Sequence, residues 1–112
     1  MKKIEAIIRP AKLEELKDEL HKAKITGLTI SQVLGCGQQL GWKEHYRSSE
    51  VSINILPKIE VKLIVDDIEV EKIIDLIIKI ARTGEVGDGK IFVSNIEDCV
   101  RIRTGERGKN AL

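Results

Sequence analysis

The chain has 112 residues, of which 42% are hydrophobic and 33% charged, and its 19 basic and 18 acidic side chains give a formal net charge of +1. This length predicts a single domain over residues 1–112, and the near-neutral charge argues against a nucleic-acid-binding protein. No apolar stretch approaches the roughly 20 residues that cross a bilayer, and the first residues lack the apolar segment of a signal peptide. We therefore expect a cytoplasmic protein without a membrane span.

The two cysteines and two histidines give no convincing metal site. Cys36 and Cys99 lie far apart without CxxC spacing, which favours reduced cysteines in packing positions, although the two could pair. His21 lies in a charged helical stretch and is typical of a solvated surface histidine. His45 likewise lacks neighbours that would support a metal site.

The first half of the chain is predicted to contain a strand, a helix and a second strand. Alternating apolar residues predict a strand over residues 3–9, which Pro10 ends. Leucines at helical spacing predict a helix over residues 11–24, with Gly27 as its stop signal. Residues 28–34 form the second predicted strand.

The second half repeats this arrangement. Residues 59–65 alternate strictly enough to give one wholly apolar strand face. Asp66 and Asp67 are expected to cap a helix over residues 68–82, and a further strand is predicted over residues 90–96.

The order βαββαβ predicts an α+β, ferredoxin-like sandwich, in which two helices cover one face of an antiparallel sheet. Such a sheet leaves its other face open. Apolar residues on both sides of several strands therefore favour a homo-oligomer.

A long insertion separates the second and third predicted strands. Hairpin loops usually have about two to five residues, and loops beyond about 12–15 residues are usually functional or disordered. Residues 37–55 are polar and glycine-containing, yet hold Trp42 and Tyr46. These rings either pack back onto the domain or form a partner-binding element together with arginine.

The sequence TGEVGDGK at residues 83–90 is rich in glycine and ends in a lysine. Such a segment can surround an anion with backbone N–H groups. Residues 84–90 match GxxxxGK, but Ile91 stands where a P-loop has Ser or Thr, and a helix precedes the glycines. The pattern favours a phosphate-binding turn over a P-loop NTPase, with a plain flexible turn as the alternative.

A short fifth strand is predicted over residues 100–103. It would place Arg101 and Arg103 on one side of the chain, where paired guanidinium groups suit phosphate oxygens. Together with the glycine turn, this pair indicates a polyphosphate held between two segments, which could belong to different subunits. No catalytic triad or carboxylate pair is recognisable, so we expect a protein that is not an enzyme.

Nearly the whole chain resembles the PII signal-transduction family. The matching stretches are KKIEAIIRP, ITGLTISQVLGCGQQLG, YRSSE, LPK, ARTGEVGDGKIFV and VRIRTGE. The resemblance implies a ferredoxin-like homotrimer that binds ATP or ADP and 2-oxoglutarate in clefts between subunits. It also implies that residues 37–55 are the T-loop, residues 82–90 the B-loop and residues 102–109 the C-loop.

The resemblance also implies roles for individual residues. An adenine pocket is expected at Thr29, Ile64 and Thr83. The full set implied to bind nucleotide is Thr29, Gly37, Gln38, Ile64, Thr83, Gly87, Asp88, Gly89, Lys90, Arg101 and Arg103. Those implied to bind 2-oxoglutarate are Gln39, Gly41 and Lys58, and Gln39 is also the implied Mg²⁺ ligand. Partner binding is expected at Trp42, Tyr46 and Arg47.

Two departures from the family pattern concern the T-loop. Gln38 stands where many relatives have an arginine, so one phosphate contact is missing. Val51 stands where enteric relatives have the tyrosine that is uridylylated, so that switch is absent. Partners common in the family are an ammonium transporter, glutamine synthetase and nitrogenase.

Two functions other than regulation are alternatives, a slow ATPase and a metal-binding trimer. A slow ATPase would need a group to position water, and none is identifiable. A metal-binding trimer, as in cation-tolerance proteins, would require neither the glycine-lysine turn nor the paired arginines.

Overall fold

The computed structural model describes residues 1–36 and 55–112. These residues form four strands and two α-helices in the predicted order βαββαβ. The strands are β1 (Lys2–Ile8), β2 (Thr29–Cys36), β3 (Ile55–Val65) and β4 (Lys90–Asn95), and the helices are α1 (Leu13–Lys22) and α2 (Val70–Ala81).

The strands form one antiparallel sheet in the order β2-β3-β1-β4. The central strands β1 and β3 are aligned over their shared length, from the Lys2–Val65 pair to the Ile8–Ile59 pair. The strand order and directions are those of a ferredoxin-like sheet, so the predicted fold class is confirmed.

The hydrophobic core lies between one face of the sheet and both helices. Alternate residues of β1 and β3 are buried, as are leucines of α1 and isoleucines of α2. The principal contributors are Ile4, Ala6, Ile8, Val61, Leu63, Leu16, Leu20, Ile73 and Ile77. Because one alternating set of strand residues meets both helices, the two helices cover the same face of the sheet.

The ends of the helices differ from the predictions. Short 3-10 turns, Pro10–Lys12 and Asp67–Glu69, precede the two α-helices. Asp66 makes no side-chain capping hydrogen bond. Its carboxylate instead pairs with Lys109 at 3.1 Å, and that of Asp67 pairs with the amino group of Met1 at 2.9 Å. The prediction that these aspartates cap the helix was therefore wrong.

Helix α1 ends before Gly27, the predicted stop signal. The N–H of Ile25 donates to the Leu20 carbonyl and that of Lys24 to the His21 carbonyl, both at 2.9 Å. This is the hydrogen-bond pattern of a Schellman motif, with Lys24 in the left-handed conformation at φ 66°. A lysine therefore occupies the position at which glycine is usual.

The face of the sheet opposite the helices is less apolar than predicted. Its centre carries the ion pairs Lys3–Glu5 and Lys62–Glu60, at 3.2 and 3.3 Å. The apolar residues Ile7 and Ile64 lie nearer opposite ends of this face. Burial of a broad apolar face is therefore a weaker argument for a homo-oligomer than the sequence indicated.

Both cysteines are free, Cys36 being exposed and Cys99 partly exposed. Among the described residues, no helix is long and apolar enough to cross a membrane.

Candidate functional site: the B-loop cavity

The B-loop, residues 82–90, joins α2 to β4 and turns on three glycines with positive φ angles. Gly89 has a φ of +101°, and a Cβ atom at this position would lie 1.7 Å from the carbonyl oxygen of Ile7. Only glycine allows this close approach of the loop to β1. The conformation of the B-loop is therefore tied to the central strand of the sheet.

The Asp88 carboxylate organises the interior of the B-loop. It accepts hydrogen bonds from the Thr83 hydroxyl at 2.5 Å and from the N–H groups of Thr83 and Gly84 at 2.7 and 2.8 Å. The predicted phosphate-binding residue Asp88 therefore directs its side chain to its own loop. The role of this carboxylate in the structure is therefore to fix the loop conformation.

These donors hold the pKa of Asp88 well below its ordinary range, with the Thr83 hydroxyl as the largest cause. A lowered pKa means that ionised Asp88 stabilises the folded loop above its unfolded-state pKa. This contribution is lost only as the pH falls through the lower pKa of the folded state.

We therefore expect Asp88 to stay ionised at about pH 3.9, where an ordinary aspartate is half protonated. NMR titration of its carboxyl carbon measures this directly. Thr83→Val removes the hydroxyl donor but keeps the backbone N–H, and it should move the titration towards the ordinary value. A wild-type Asp88 that titrates near pH 3.9 would contradict the described hydrogen bonds.

Arg9, the residue that follows β1, binds the B-loop through its guanidinium group. Its Nε donates to the Asp88 carboxylate at 3.0 Å and its Nη2 to the Val86 carbonyl at 2.9 Å. Arg9 is not among the predicted site residues, although it lies in the stretch KKIEAIIRP that matches the family. A charged residue placed between a strand and a proline was the available signal.

Lys58 lies on β3 beside the B-loop, and its side chain is 8% exposed. Its Nζ donates to the Gly87 carbonyl at 2.6 Å. The adjacent Gly35 makes room for this side chain, since a Cβ there would lie 3.1 Å from the Lys58 Cγ. An ammonium group has three donors, so Lys58 can hold the B-loop and still bind an anion.

These groups line a cavity of about 700 Å³. Lys58 and Lys90 contribute positive charge, Gly87 and Gly89 contribute backbone, and Ile7 and Phe92 contribute apolar surface. Phe92 is 54% exposed although it is aromatic. Ile7 and Phe92 are not among the predicted site residues, because the sequence of a single strand does not show which loop will lie over it.

A second group of predicted residues lies at the opposite end of the sheet. Ile64 is six residues beyond Lys58 on β3, a distance of about 20 Å along an extended strand. Thr29 pairs with Lys62, near Ile64. Thr83, the third residue of the predicted adenine pocket, lies instead in the B-loop with Asp88.

The predicted arginines also belong to the opposite end. The segment that contains them is fixed on one side by the Ile96 N–H, which donates to the Met1 carbonyl at 3.1 Å, and on the other by the Lys109–Asp66 ion pair. Within one chain, Arg101 and Arg103 are therefore separated from the B-loop by the length of β1.

Residues 100–103 do not form the predicted fifth strand. Val100 makes a single β-bridge with Arg107, and a turn lies between them. Gly105 reverses the chain with a φ of +76°, and its N–H donates to the Arg101 carbonyl at 2.8 Å. Arg101 and Arg103 therefore do not share one side of an extended strand.

Arg101 is already paired, with Glu106 at 3.4 Å, and it donates to the Leu112 carbonyl at 2.9 Å. Arg103 is exposed and has no ion-pair partner among residues 1–36 and 55–112. Of the two guanidinium groups, that of Arg103 is therefore the more available for contact with a ligand.

Several predicted site residues lie outside the described residues. They are those implied to contact phosphate, 2-oxoglutarate and Mg²⁺ at the start of the T-loop, and those implied to bind partners. They comprise Gly37, Gln38, Gln39, Gly41, Trp42, Tyr46 and Arg47.

Fold and site together define a ferredoxin-like protein in which a glycine-rich loop and two lysines line a cavity at one end of the sheet. Comparisons with known proteins all point to one family. The family model described as nitrogen regulatory protein P-II matches residues 1–106. The nitrogen regulatory protein P-II of Nostoc punctiforme is 53% identical over 112 residues, covering 100% of both chains. P-II 2 of Methanothermobacter thermautotrophicus is 49% identical, covering 100% of this chain and 97% of the relative.

A solved structure agrees with these sequence matches. That of B. subtilis GlnK superimposes with a TM-score of 0.83 at 40% identity, covering 99% of this chain and 97% of the other. The chain belongs to the P-II family of nitrogen regulatory proteins. As a member of this family it is a signal-transduction protein and not an enzyme.

Proposed function

We propose that this chain senses ATP or ADP together with 2-oxoglutarate and regulates nitrogen-metabolism target proteins through residues 37–55. One observation carries the proposal. A preformed glycine loop, a buried lysine and an apolar floor meet in one cavity of about 700 Å³, a size typical of small-ligand sites.

The cavity suits a nucleotide. Backbone N–H groups in a glycine loop form an anion-binding concavity, and Lys90 adds an exposed positive charge at the start of β4. The Phe92 ring and Ile7 supply apolar contact for a nucleoside. These features fit ATP or ADP, with Gly87, Gly89 and Lys90 on the phosphates.

The distance between the two groups of site residues supports a site shared by two copies of the chain. Lys90 and Arg103 lie at opposite ends of the sheet, too far apart to hold the same phosphates within one chain. A head-to-tail contact would place Thr29, Ile64 and Arg103 of one copy beside the B-loop of the next. Three such contacts close a ring, so a homotrimer would contain three equivalent sites.

Lys58 is suited to the distant carboxylate of 2-oxoglutarate, because a dicarboxylate needs a fixed cation. Among residues 1–36 and 55–112, no cluster of acidic, histidine or cysteine residues could hold a metal alone. The proposed Mg²⁺ ligands are instead the Gln39 amide oxygen and the nucleotide phosphates, because a hard cation takes oxygen ligands. Magnesium would supply the coordination that lets a keto acid bind beside ATP.

Target proteins of the expected kinds are an ammonium transporter, glutamine synthetase and nitrogenase. Trp42, Tyr46 and Arg47 are the residue types that dominate protein interfaces. Val51 offers no hydroxyl for uridylylation, so ligand-dependent changes in the T-loop would carry the signal alone. Such changes require different affinities of the ligands for its states.

Calorimetry with four ligand combinations tests the proposal. ADP and ATP should each bind alone, whereas 2-oxoglutarate should bind only with ATP and Mg²⁺ present. Trp42 is the only tryptophan, so its emission should report binding at the T-loop. A chain that binds 2-oxoglutarate equally well without nucleotide, or no nucleotide at all, would contradict the proposal.

A further inference from the structure

The backbone of the B-loop between Val86 and Asp88 is held by two cations from different strands. Arg9 binds the Val86 carbonyl at 2.9 Å, and Lys58 binds the Gly87 carbonyl at 2.6 Å. Two consecutive peptide groups of the loop therefore each have a fixed carbonyl direction.

A fixed carbonyl also fixes the next N–H, because a trans peptide is planar and its C=O and N–H point in opposite directions. The Gly87 N–H must point away from Arg9, and the Asp88 N–H away from the Lys58 ammonium. Within residues 1–36 and 55–112 neither N–H has a hydrogen-bond acceptor. These two donors are thus oriented and unused.

The backbone of Arg9 is restricted by the proline that follows it. This arginine is the residue between the end of β1 and Pro10, and its backbone is extended, with φ −68° and ψ 138°. A following proline disfavours the helical alternative, so the backbone cannot easily turn the guanidinium away from the B-loop. Arg9 binds Val86 and Asp88, the residues on either side of Gly87, with different nitrogens.

We propose that Arg9 is a positioning residue for phosphate, acting through Asp88 and the Val86 carbonyl to orient the N–H groups of Gly87 and Asp88 before ligand arrives. This rests on the proposed function, since it assumes that the B-loop binds nucleotide phosphate. Preorganised donors bind more tightly because their ordering cost is met during folding.

The test compares ADP with adenosine, which lacks phosphate, by calorimetry and NMR titration. Arg9→Ala should weaken the binding of ADP by about tenfold, as expected for loss of hydrogen bonds to a charged group. Adenosine affinity should be unchanged. Arg9→Lys keeps the charge without the two-point contact and should also weaken ADP. Amide exchange at Thr83 and Gly84 should accelerate in both variants, because their acceptor Asp88 loses its outer partner.

A double-mutant cycle distinguishes positioning through Asp88 from a direct contact between Arg9 and phosphate. If Arg9 acts through Asp88, the combination of Arg9→Ala and Asp88→Ala should weaken ADP less than the sum of the two single effects. Additive losses of ADP affinity in the double mutant would overturn the positioning role. So would an Arg9→Ala variant that keeps its ADP affinity, or one that loses adenosine affinity to the same extent as ADP affinity. A wild-type chain that does not bind ADP would overturn the proposed function itself, and the role of Arg9 with it.

Discussion

Gly89→Ala should abolish nucleotide binding while leaving the fold intact. The added Cβ would lie 1.7 Å from the Ile7 carbonyl oxygen and 2.7 Å from its carbonyl carbon. Both atoms belong to the central strand β1, whose pairing on both sides opposes any shift of its backbone. The B-loop must therefore leave β1, and its hydrogen bonds to Arg9 and Lys58 are lost with it. ADP affinity should fall by more than about a hundredfold, the combined effect of several charge-assisted bonds.

Two other glycines give matched controls. Gly84 has a similar φ of +91° but nothing within 4 Å of its Cβ position. Gly84→Ala introduces a similar backbone strain without the collision, at a cost of about 1–3 kcal/mol. Gly27 has ordinary φ and open space, so Gly27→Ala should leave binding unchanged. Equal losses in Gly84→Ala and Gly89→Ala would show that strain, and not contact with β1, controls the loop.

Lys58→Ala should remove 2-oxoglutarate binding in the presence of ATP and Mg²⁺. Lys58 is the one charged side chain that is buried among the described residues, and a charge-assisted bond to a carboxylate contributes roughly 1.5–3 kcal/mol, or about ten- to a hundredfold in affinity. ADP affinity should also fall, because the mutation removes the hydrogen bond to the Gly87 carbonyl. This loss should be smaller, because Lys58 is not assigned to the nucleotide itself.

Lys17→Ala provides the control for charge. Lys17 is on α1, paired with Glu14 at 2.9 Å and remote from the cavity. Calorimetry of both variants with 2-oxoglutarate and with ADP distinguishes a loss of 2-oxoglutarate binding from a loss of nucleotide binding. If Lys58→Ala bound 2-oxoglutarate as wild type does, the assignment of this lysine would be wrong.

The fold could be predicted from the sequence because the strands alternate regularly. Ile59, Val61, Leu63 and Val65 face the core as predicted, and the isoleucines of α2 face the same core. The predicted fifth strand was wrong because its residues have no neighbouring strand with which to pair in the described part of the chain. Residues 100–103 alternate like a strand, but Gly105 turns the chain back at once and leaves Val100 only a bridge to Arg107.

The site was only partly predictable. Glycine spacing identified the B-loop, because the positive φ of Gly87 and Gly89 is a local requirement. The pair Arg9 and Asp88 joins residues 79 positions apart, and no local pattern contains such a contact. Ile7 and Phe92 line the cavity for the same reason, since the sheet register alone brings them under the loop.

We propose that each nucleotide site combines the B-loop of one copy with Arg103 of another, and mixed oligomers test this directly. Lys90→Ala and Arg103→Ala should each weaken ADP binding when present in every subunit. Co-expressing the two variants restores wild-type pairs, since a subunit with intact Lys90 can meet one with intact Arg103. In randomly mixed rings about a quarter of the interfaces should then bind ADP with wild-type affinity. Calorimetry of the mixed oligomer should show that fraction of tight sites. If the mixture showed only the weak binding of its components, the two residues would not meet across an interface, and the shared site would be contradicted.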